Sequence, residues 1–503
     1  MNNPSINETL IREVVEDVLG RLGKPSAAPA PQPAPPPRSS AAPPAPPAVS
    51  RPSAAPSGGR RLGVFSDATE ACSAAAEAFE KLSAQGMAGR ARVIEIVKTL
   101  SSAHAAEWGR IELEETKIGR LDHKIEKLLG LKAVPGIESL CPDGFSGDHG
   151  ITLEEFAPFG VIGAITPSTH SIPTLSCNVI NMVAAGNAVV FNAHPGAYRC
   201  AAMAARVYNE AIFRELGIEN LIAIVDPPTL ESFKAICASD QVRLLCVTGG
   251  PGVVKAAMQA GKRAICAGPG NPPVLVDDTA DIDRAARCII QGAAYDNNLL
   301  CIGEKEVFVL ESVAGRLMEA LQRQGAARLD SAQIDRLTRE AFVFPAGQGA
   351  GCPHATVNKE LIGKDAALLA RMAGANVPAG TELLWGETGA DHLFVQEEQM
   401  MPFVPVVRVP TVSAGIEAAR AAEHGYRHTA IIHSHNVSHM TAMAKALNTT
   451  LFIKNGSCLA GLGNGGEGYP SFSIATPTGE GVTSPKTFTR VRRCVMVDNL
   501  RIF

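Results

Sequence analysis

The sequence predicts an α/β protein with two domains built on parallel sheets. Three observations predict it. The chain has 503 residues, and at roughly 100–200 residues per domain that suggests two or three domains. Apolar runs of strand length recur about every 30 residues with helical stretches between them, the pattern of a parallel sheet covered on both faces. The composition, 46% hydrophobic and 19% charged, is that of a globular chain, and no apolar run approaches the ~20 residues that cross a bilayer.

The elements follow in chain order. Residues 5–22 place Ile6, Leu10, Ile11, Val14, Val15, Val18, Leu19 and Leu22 in a 3.6-residue rhythm that gives a helix one apolar stripe. Ser5 followed three residues later by Glu8 is a capping box that starts this helix. From Pro25 to about Ser57 the chain is almost entirely Pro, Ala and Ser, which cannot build a core and behaves as an extended spacer. The stripe therefore has no neighbours close in sequence. It either folds back on the body or docks into another protein's groove. Its polar face carries Glu8, Glu13, Glu16 and Asp17 against Arg12 and Arg21, a balance that anionic lipid repels.

From about Leu62 the α/β pattern begins. Helical stretches at Ala68–Leu82 and Arg90–Leu113 precede strand-length runs at Val161–Ile165, Ala188–Phe191, Leu221–Val225 and Arg243–Val247. Further runs at Pro273–Val276, Glu306–Leu310, Ala430–His433 and Leu451–Ile453 predict a second α/β region of similar size. No internal repeat of fixed period is present.

Charge and cysteine usage exclude several classes. A net charge of -4 argues against a polyanion binder, and 5% aromatic residues argue against stacking platforms for single-stranded nucleic acid. The start, Met1-Asn2-Asn3-Pro4, has neither the basic nor the apolar region of a secretory leader. Twelve cysteines without CxxC pairs predict reduced thiols, mostly small core fillers, rather than a zinc ribbon or disulfide framework.

Three stretches carry candidate chemistry. Thr248-Gly249-Gly250-Pro251 runs from a strand through a glycine turn into a helix, with Pro251 at the first helical position. It reads as a seat for a pyrophosphate at the helix end or as a plain tight turn. His194, after the strand ending Phe191-Asn192-Ala193, lies where open α/β sheets bind ligands. It reads as a ribose contact or as an ordinary surface or core histidine. Asn297-Asn298-Leu299-Leu300-Cys301-Ile302-Gly303-Glu304-Lys305 joins an expected helix at Ala285–Tyr295 to the strand Glu306–Leu310. There Cys301 reads as a nucleophile, its pKa lowered by backbone amides and Lys305, or as a structural cysteine.

From about Arg60 to Phe503 the chain resembles the aldehyde dehydrogenase superfamily. Five matches fall in the family's order: Thr166-Pro167, Ala185-Gly186-Asn187-Ala188-Val189-Val190, Thr248-Gly249, the Cys301 segment, and Glu398 four residues before Pro402. The resemblance implies that Cys301 is the nucleophile and that Glu398 holds the nicotinamide ribose, a position otherwise read as a solvated loop charge beside Glu397. Two departures refine it. Where hydrolytic members carry a water-activating glutamate, Ala267 stands in Ala267-Gly268-Pro269-Gly270-Asn271-Pro272-Pro273. An alanine forfeits the ~10²–10⁴-fold that a general base contributes. Together with His194-Pro195, this is similar to the CoA-acylating members. The helix and Pro/Ala tether resemble the encapsulation peptide of propionaldehyde dehydrogenases housed in bacterial microcompartments. The second departure is His170, which replaces the family's oxyanion-donating asparagine. It reads as an N–H donor, or that role shifts to Thr169 or is absent.

These resemblances imply a definite set of expectations. Residues 1–22 form a targeting helix and 23–59 a disordered linker. An NAD-binding domain spans 60–138 and 157–267, and a catalytic domain 268–484. A small oligomerisation flap combines 139–156 with 485–503. The expected activity is NAD-dependent oxidation of a short-chain aldehyde, propionaldehyde, to its acyl-CoA through a cysteine thioester. NAD and coenzyme A are the co-substrates, and no metal is expected. NAD would lie along His194, Thr248, Gly249, Gly250 and Glu398. The expected partners are the aldehyde, a shell protein met through residues 5–22, and further copies of the chain in a homodimer or homotetramer; nucleic acid and membrane are not expected. The expected location is the lumen of a microcompartment. The rivals are a hydrolytic enzyme giving a free acid and a catalytically inactive shell-organising scaffold.

Overall fold

A computed structural model describes residues 61–344 and 355–501. The expected helix at 5–22 and the spacer after it lie outside the described residues. The body opens on β1 (Val64–Phe65), followed by the hairpin β2 (Asp143–Gly147) and β3 (Gly150–Pro158). Then come β4 (Val161–Thr166), β5 (Ala188–Ala193), β6 (Ile222–Val225), β7 (Val242–Thr248) and β8 (Arg263–Ala267). Without the hairpin these form one all-parallel sheet in the order β1-β6-β5-β4-β7-β8. Every residue of β4, β5 and β6 is buried, which is why those strands read as unbroken apolar runs rather than alternating ones.

The second sheet comprises β9 (Pro273–Val276), β10 (Glu306–Leu310), β11 (Ala327–Arg328), β14 (Leu384–Glu387), β15 (Phe403–Val409), β16 (Thr429–His433) and β17 (Leu451–Lys454). Its order is β11-β14-β15-β10-β9-β16-β17, again all parallel. Two short antiparallel pairs stand apart from both sheets, β12 (Phe342–Val343) with β13 (Thr356–Val357) and β18 (Ile474–Ala475) with β19 (Gly481–Val482). A third sheet, β2-β3-β20, joins the early hairpin to the late strand β20 (Thr489–Val497) along nine antiparallel register pairs.

The helices fit the sequence pattern with one correction. Asp67 caps α1 (Ala68–Ala103), its carboxylate accepting the Glu70 N–H at 2.8 Å. The expected gap between Leu82 and Arg90 is a kink at Gly86, whose φ of 61° suits glycine. The expected single helix over Arg90–Leu113, however, is broken: the non-helical His104 ends α1 and starts α2 (Ala105–Thr116). Next come α3 (Leu121–Gly130), α4 (Ser171–Ala184), α5 (Pro251–Met258) with Pro251 at its first turn, and α6 (Ile282–Ala294). α4 is buried on every side.

Strand order positions the site. In the first sheet the chain runs outward from β4 to β5 and β6 on one side, and to β7 and β8 on the other. The crevice of such a sheet lies beyond the carboxyl ends at that reversal. Thr166, His194 and Thr248 all stand at those ends. From there β8 leads through Gly268–Pro272 to the amino end of β9. There the Lys305 N–H donates to the Pro272 carbonyl at 3.1 Å and brings the Cys301 turn alongside.

Candidate active site

Cys301 sits on a turn held by unusual backbone. α6 gives way to three consecutive left-handed residues, Asp296, Asn297 and Asn298, with φ of 48°, 55° and 66°. Asp and Asn tolerate this region because their short polar side chains bond locally. All three are buried, and each side chain is tied down. Asp296 accepts the Arg120 N–H at 2.7 Å and pairs with Lys127. Asn297 donates to the Gly363 carbonyl at 2.9 Å and to Asp365 at 2.8 Å. Asn298 donates to the Ala293 and Glu304 carbonyls, both at 2.9 Å. Lys305 completes the clamp, its ammonium donating to the Asn298 carbonyl at 2.8 Å, to Asn298 Oδ1 at 2.5 Å and to the Leu300 carbonyl at 3.2 Å.

That clamp corrects the expectation for the thiol. Lys305 spends its hydrogen bonds on the turn, and Cys301 is not driven toward thiolate. Burial first, then the nearby Glu398 carboxylate, push the Cys301 thiol up to about 12, against a smaller opposing pull from Lys305. Glu398 is itself pushed up to about 7 by burial, with Lys305 and the Gly270 N–H pulling it down. The Glu398 carboxylate thus opposes the thiolate state of Cys301. The Cys301 alkylation rate with iodoacetamide, followed by peptide mass, should rise about tenfold per unit between about pH 7 and 9 without levelling. Glu398→Gln should move that profile to lower pH. A wild-type plateau below about pH 8 would reject the buried-thiol state.

Cys301 and His170 line one cavity of about 370 Å³. Leu300, Ile302, Leu459 and Phe472 give it apolar walls, while Glu126, Lys127 and Asn464 also reach it. His170 occupies the N-cap of α4 without capping it, its buried Nδ1 has no partner, and its ring tilts against Phe472 at 5.7 Å. Burial, reinforced by Lys127 and Lys124, holds its imidazole well below the usual range, so the ring is neutral with one N–H to give. The helix start that His170 leaves uncapped is served by Glu112, which accepts the Ile172 N–H at 3.0 Å and pairs with buried Lys124 at 2.9 Å.

The proposed nucleotide contacts gather at the carboxyl edge of the first sheet. His194 is exposed there, its Nδ1 accepting the Gly196 N–H at 3.0 Å. The Thr248 hydroxyl is engaged by the Ser473 hydroxyl at 2.8 Å, which leaves backbone as its free contribution. Gly249 donates its N–H to the Ala267 carbonyl at 3.2 Å, and a Cβ on Gly250 would meet nothing within 4 Å. An open glycine at the start of α5 suits the close approach of a pyrophosphate to backbone N–H groups, so these residues fit a dinucleotide.

Two residues of interest escaped the sequence reading. A Cβ at Gly270 would lie 2.5 Å from the Cys301 carbonyl oxygen and 2.9 Å from the His428 ring, so glycine is needed there and His428 lies just beyond it. His428 is buried, its Nδ1 bonded to the Thr429 hydroxyl at 2.9 Å and its Nε2 unpartnered. Burial and Lys305 hold it down to about 4, hence neutral. Asp296 is the other: its ion pair with Lys127 joins segments 169 residues apart, which no local pattern discloses.

Two parallel-sheet halves, with a half-buried cysteine on the wall of an apolar cavity and a nucleotide-type crevice at the carboxyl edge of the first sheet, define a thiol enzyme of the dinucleotide-dependent class. The sequence profile described as the aldehyde dehydrogenase family matches residues 61–335, more than half the chain. The chain belongs to that family. Among its relatives, the acetaldehyde dehydrogenase (acetylating) EutE of Salmonella typhimurium strain LT2 is 43% identical over 443 residues, covering 88% of this chain and 94% of that protein. The crystal structure of Rhodopseudomonas palustris propionaldehyde dehydrogenase with bound CoA and an acylated cysteine is similar, with a TM-score of 0.83 and 43% identity; the match covers 88% of this chain and all of that one. So is a propionaldehyde dehydrogenase from the Clostridium phytofermentans fucose utilisation bacterial microcompartment, with a TM-score of 0.84, 42% identity and the same coverage.

Proposed function

We propose that the chain converts a short-chain aldehyde, propionaldehyde, to its acyl-CoA with NAD as oxidant. The observation that carries this reading is a clamped cysteine opening on an apolar cavity, in a site whose water-activating position is Ala267. The Cys301 sulfur, once deprotonated, bonds to the aldehyde carbon, and the carbonyl π electrons move onto oxygen. The Cys301 backbone N–H and the neutral His170 ring stabilise that oxyanion. Bound NAD, held along His194, Thr248, Gly249, Gly250 and Glu398, supplies the two-electron acceptor. The resulting acyl group stays on Cys301 as a thioester. Ala267 offers water no base, whereas a thiol is a far better nucleophile near neutral pH. The coenzyme A sulfur therefore takes the acyl carbon, and Cys301 leaves as thiolate. The coenzyme A thiol gives its proton up to solvent as its sulfur bonds to the acyl carbon.

The test is product analysis with and without coenzyme A. Saturating coenzyme A should give acyl-CoA with free acid as a minor product, and its omission should stall NADH formation after about one turnover. Carboxylate as the main product in its presence would reject acylation. Ala267→Glu should raise hydrolysis little, because the surrounding pocket was not shaped for a carboxylate. NADH formation also separates the enzyme from an inactive scaffold.

The kinship with a microcompartment enzyme supports placement within such a compartment. Residues 5–22 would dock a shell protein through their apolar stripe. Removing residues 1–57 should leave kcat and Tm almost unchanged, while residues 1–22 fused to unrelated cargo should co-purify it with shells. Leu10→Glu or Val14→Glu should abolish capture and Arg12→Glu should not. Wild-type retention of the Leu10→Glu cargo would exclude the stripe, and a large fall in Tm on deletion would favour folding back. The flap supports assembly into a homodimer or homotetramer, since β20 exposes Val491, Val495 and Val497 to solvent and β2 exposes Phe145.

A further inference from the structure

We infer that Glu126 makes this enzyme select uncharged aldehydes and reject those carrying a distal carboxylate. The inference rests on the acylating reading and names a residue that sets its substrate class. Glu126 projects from α3 into the lining of the cavity that holds Cys301 and is exposed. Its Oε1 accepts from the Asn464 amide at 3.2 Å, joining α3 to the glycine-rich loop on the opposite wall. The Tyr295 hydroxyl faces it from the Cys301 side; burial and then the Glu126 carboxylate push that hydroxyl upward.

The charge balance of the lining decides what the cavity accepts. Lys127 is its one cation among the described residues, and that ammonium is buried against Asp296, which cancels it. His170 is neutral, and so is His123 beside Tyr295, held down by burial. No Lys or Arg among the described residues forms an ion pair with Glu126. An aldehyde bonded to Cys301 extends its chain along the apolar wall, and a terminal carboxylate would lie in the field of the Glu126 carboxylate with no cation to offset it. Like charges sharing a half-solvated cavity mouth repel by enough to cost about tenfold in affinity.

The experiment compares succinic semialdehyde with its neutral primary amide, of nearly the same shape, at saturating coenzyme A and NAD, with propionaldehyde as reference. Wild type should favour the amide in kcat/KM, and Glu126→Gln should shrink that preference about tenfold, mainly through KM for the acid. Glu126→Lys should reverse it. Raising salt should narrow the wild-type preference and leave that of Glu126→Gln almost unmoved. Glu210→Gln, a surface carboxylate on another helix, controls for net charge and should leave the ratio as in wild type. A ratio unchanged in Glu126→Gln, or moved as far by Glu210→Gln, would overturn the inference. No coenzyme A-dependent NADH from propionaldehyde in wild type would instead overturn the acylating reading, an arm measured separately.

Discussion

Replacing Cys301 with alanine should abolish aldehyde oxidation, by more than ~10³-fold in kcat, because without the sulfur no covalent acyl intermediate forms. NAD affinity and Tm should stay close to wild type. The nucleotide contacts proposed at His194, Thr248, Gly249 and Gly250 belong to the other sheet. The turn itself is held by Asn297, Asn298 and Lys305, and none of their side chains bonds to the Cys301 side chain. Losing one sulfur from the wall of an open cavity leaves little void to collapse, so the destabilisation should be about 1 kcal/mol or less. Steady-state NADH formation and NAD titration of the same preparation check both halves. More than a few per cent residual activity would remove Cys301 as nucleophile, and lost NAD binding would mean that the turn had collapsed.

Elements legible in the sequence were those whose burial is uniform. β4, β5, β6, β9 and β10 are covered on both faces, so their apolar runs stand out without help from neighbours. β14 and β15 were not legible. Gly386 breaks one run, and Pro405 and Arg408 interrupt the other, yet β15 pairs in register with β10 and β14 with β15. At the site, Cys301 was legible because a cysteine in a polar turn contrasts with cysteines in apolar runs. What holds it was not. Lys305 reads as a cation beside a thiol, but folding points its ammonium at Asn298 and Leu300 and leaves burial to govern the sulfur. His428 stands just before an ordinary strand, and only the close packing of Gly270 against it and the Cys301 carbonyl reveals its place. The packing of Gly270 on His428 joins residues far apart in the chain, where periodicity carries no information, and the direction of the Lys305 ammonium is set by the fold of the turn rather than by spacing.

His170→Ala should slow turnover by ~10²-fold, the usual loss when one oxyanion donor is removed. The loss should fall mainly on kcat, because the donor matters when negative charge develops on oxygen rather than when the aldehyde binds. The fold should tolerate the change, since the imidazole makes no cap bond and its Nδ1 has no partner to orphan. His170→Asn should recover much of the rate because an amide N–H can donate from a similar place. Recovery should stay incomplete, because asparagine is also a favoured N-cap and its carboxamide competes for the first turn of α4. The same competition should raise Tm slightly above that of the alanine variant. Because burial keeps the imidazole well below its ordinary range, the rate near neutral pH should show no inflection from His170, and any inflection there should survive in the alanine variant. Equal kcat for wild type and His170→Ala would show that the oxyanion is held without this ring. A rate that falls while Tm falls with it, and that asparagine restores only by restoring Tm, would assign His170 to the architecture of the helix start instead.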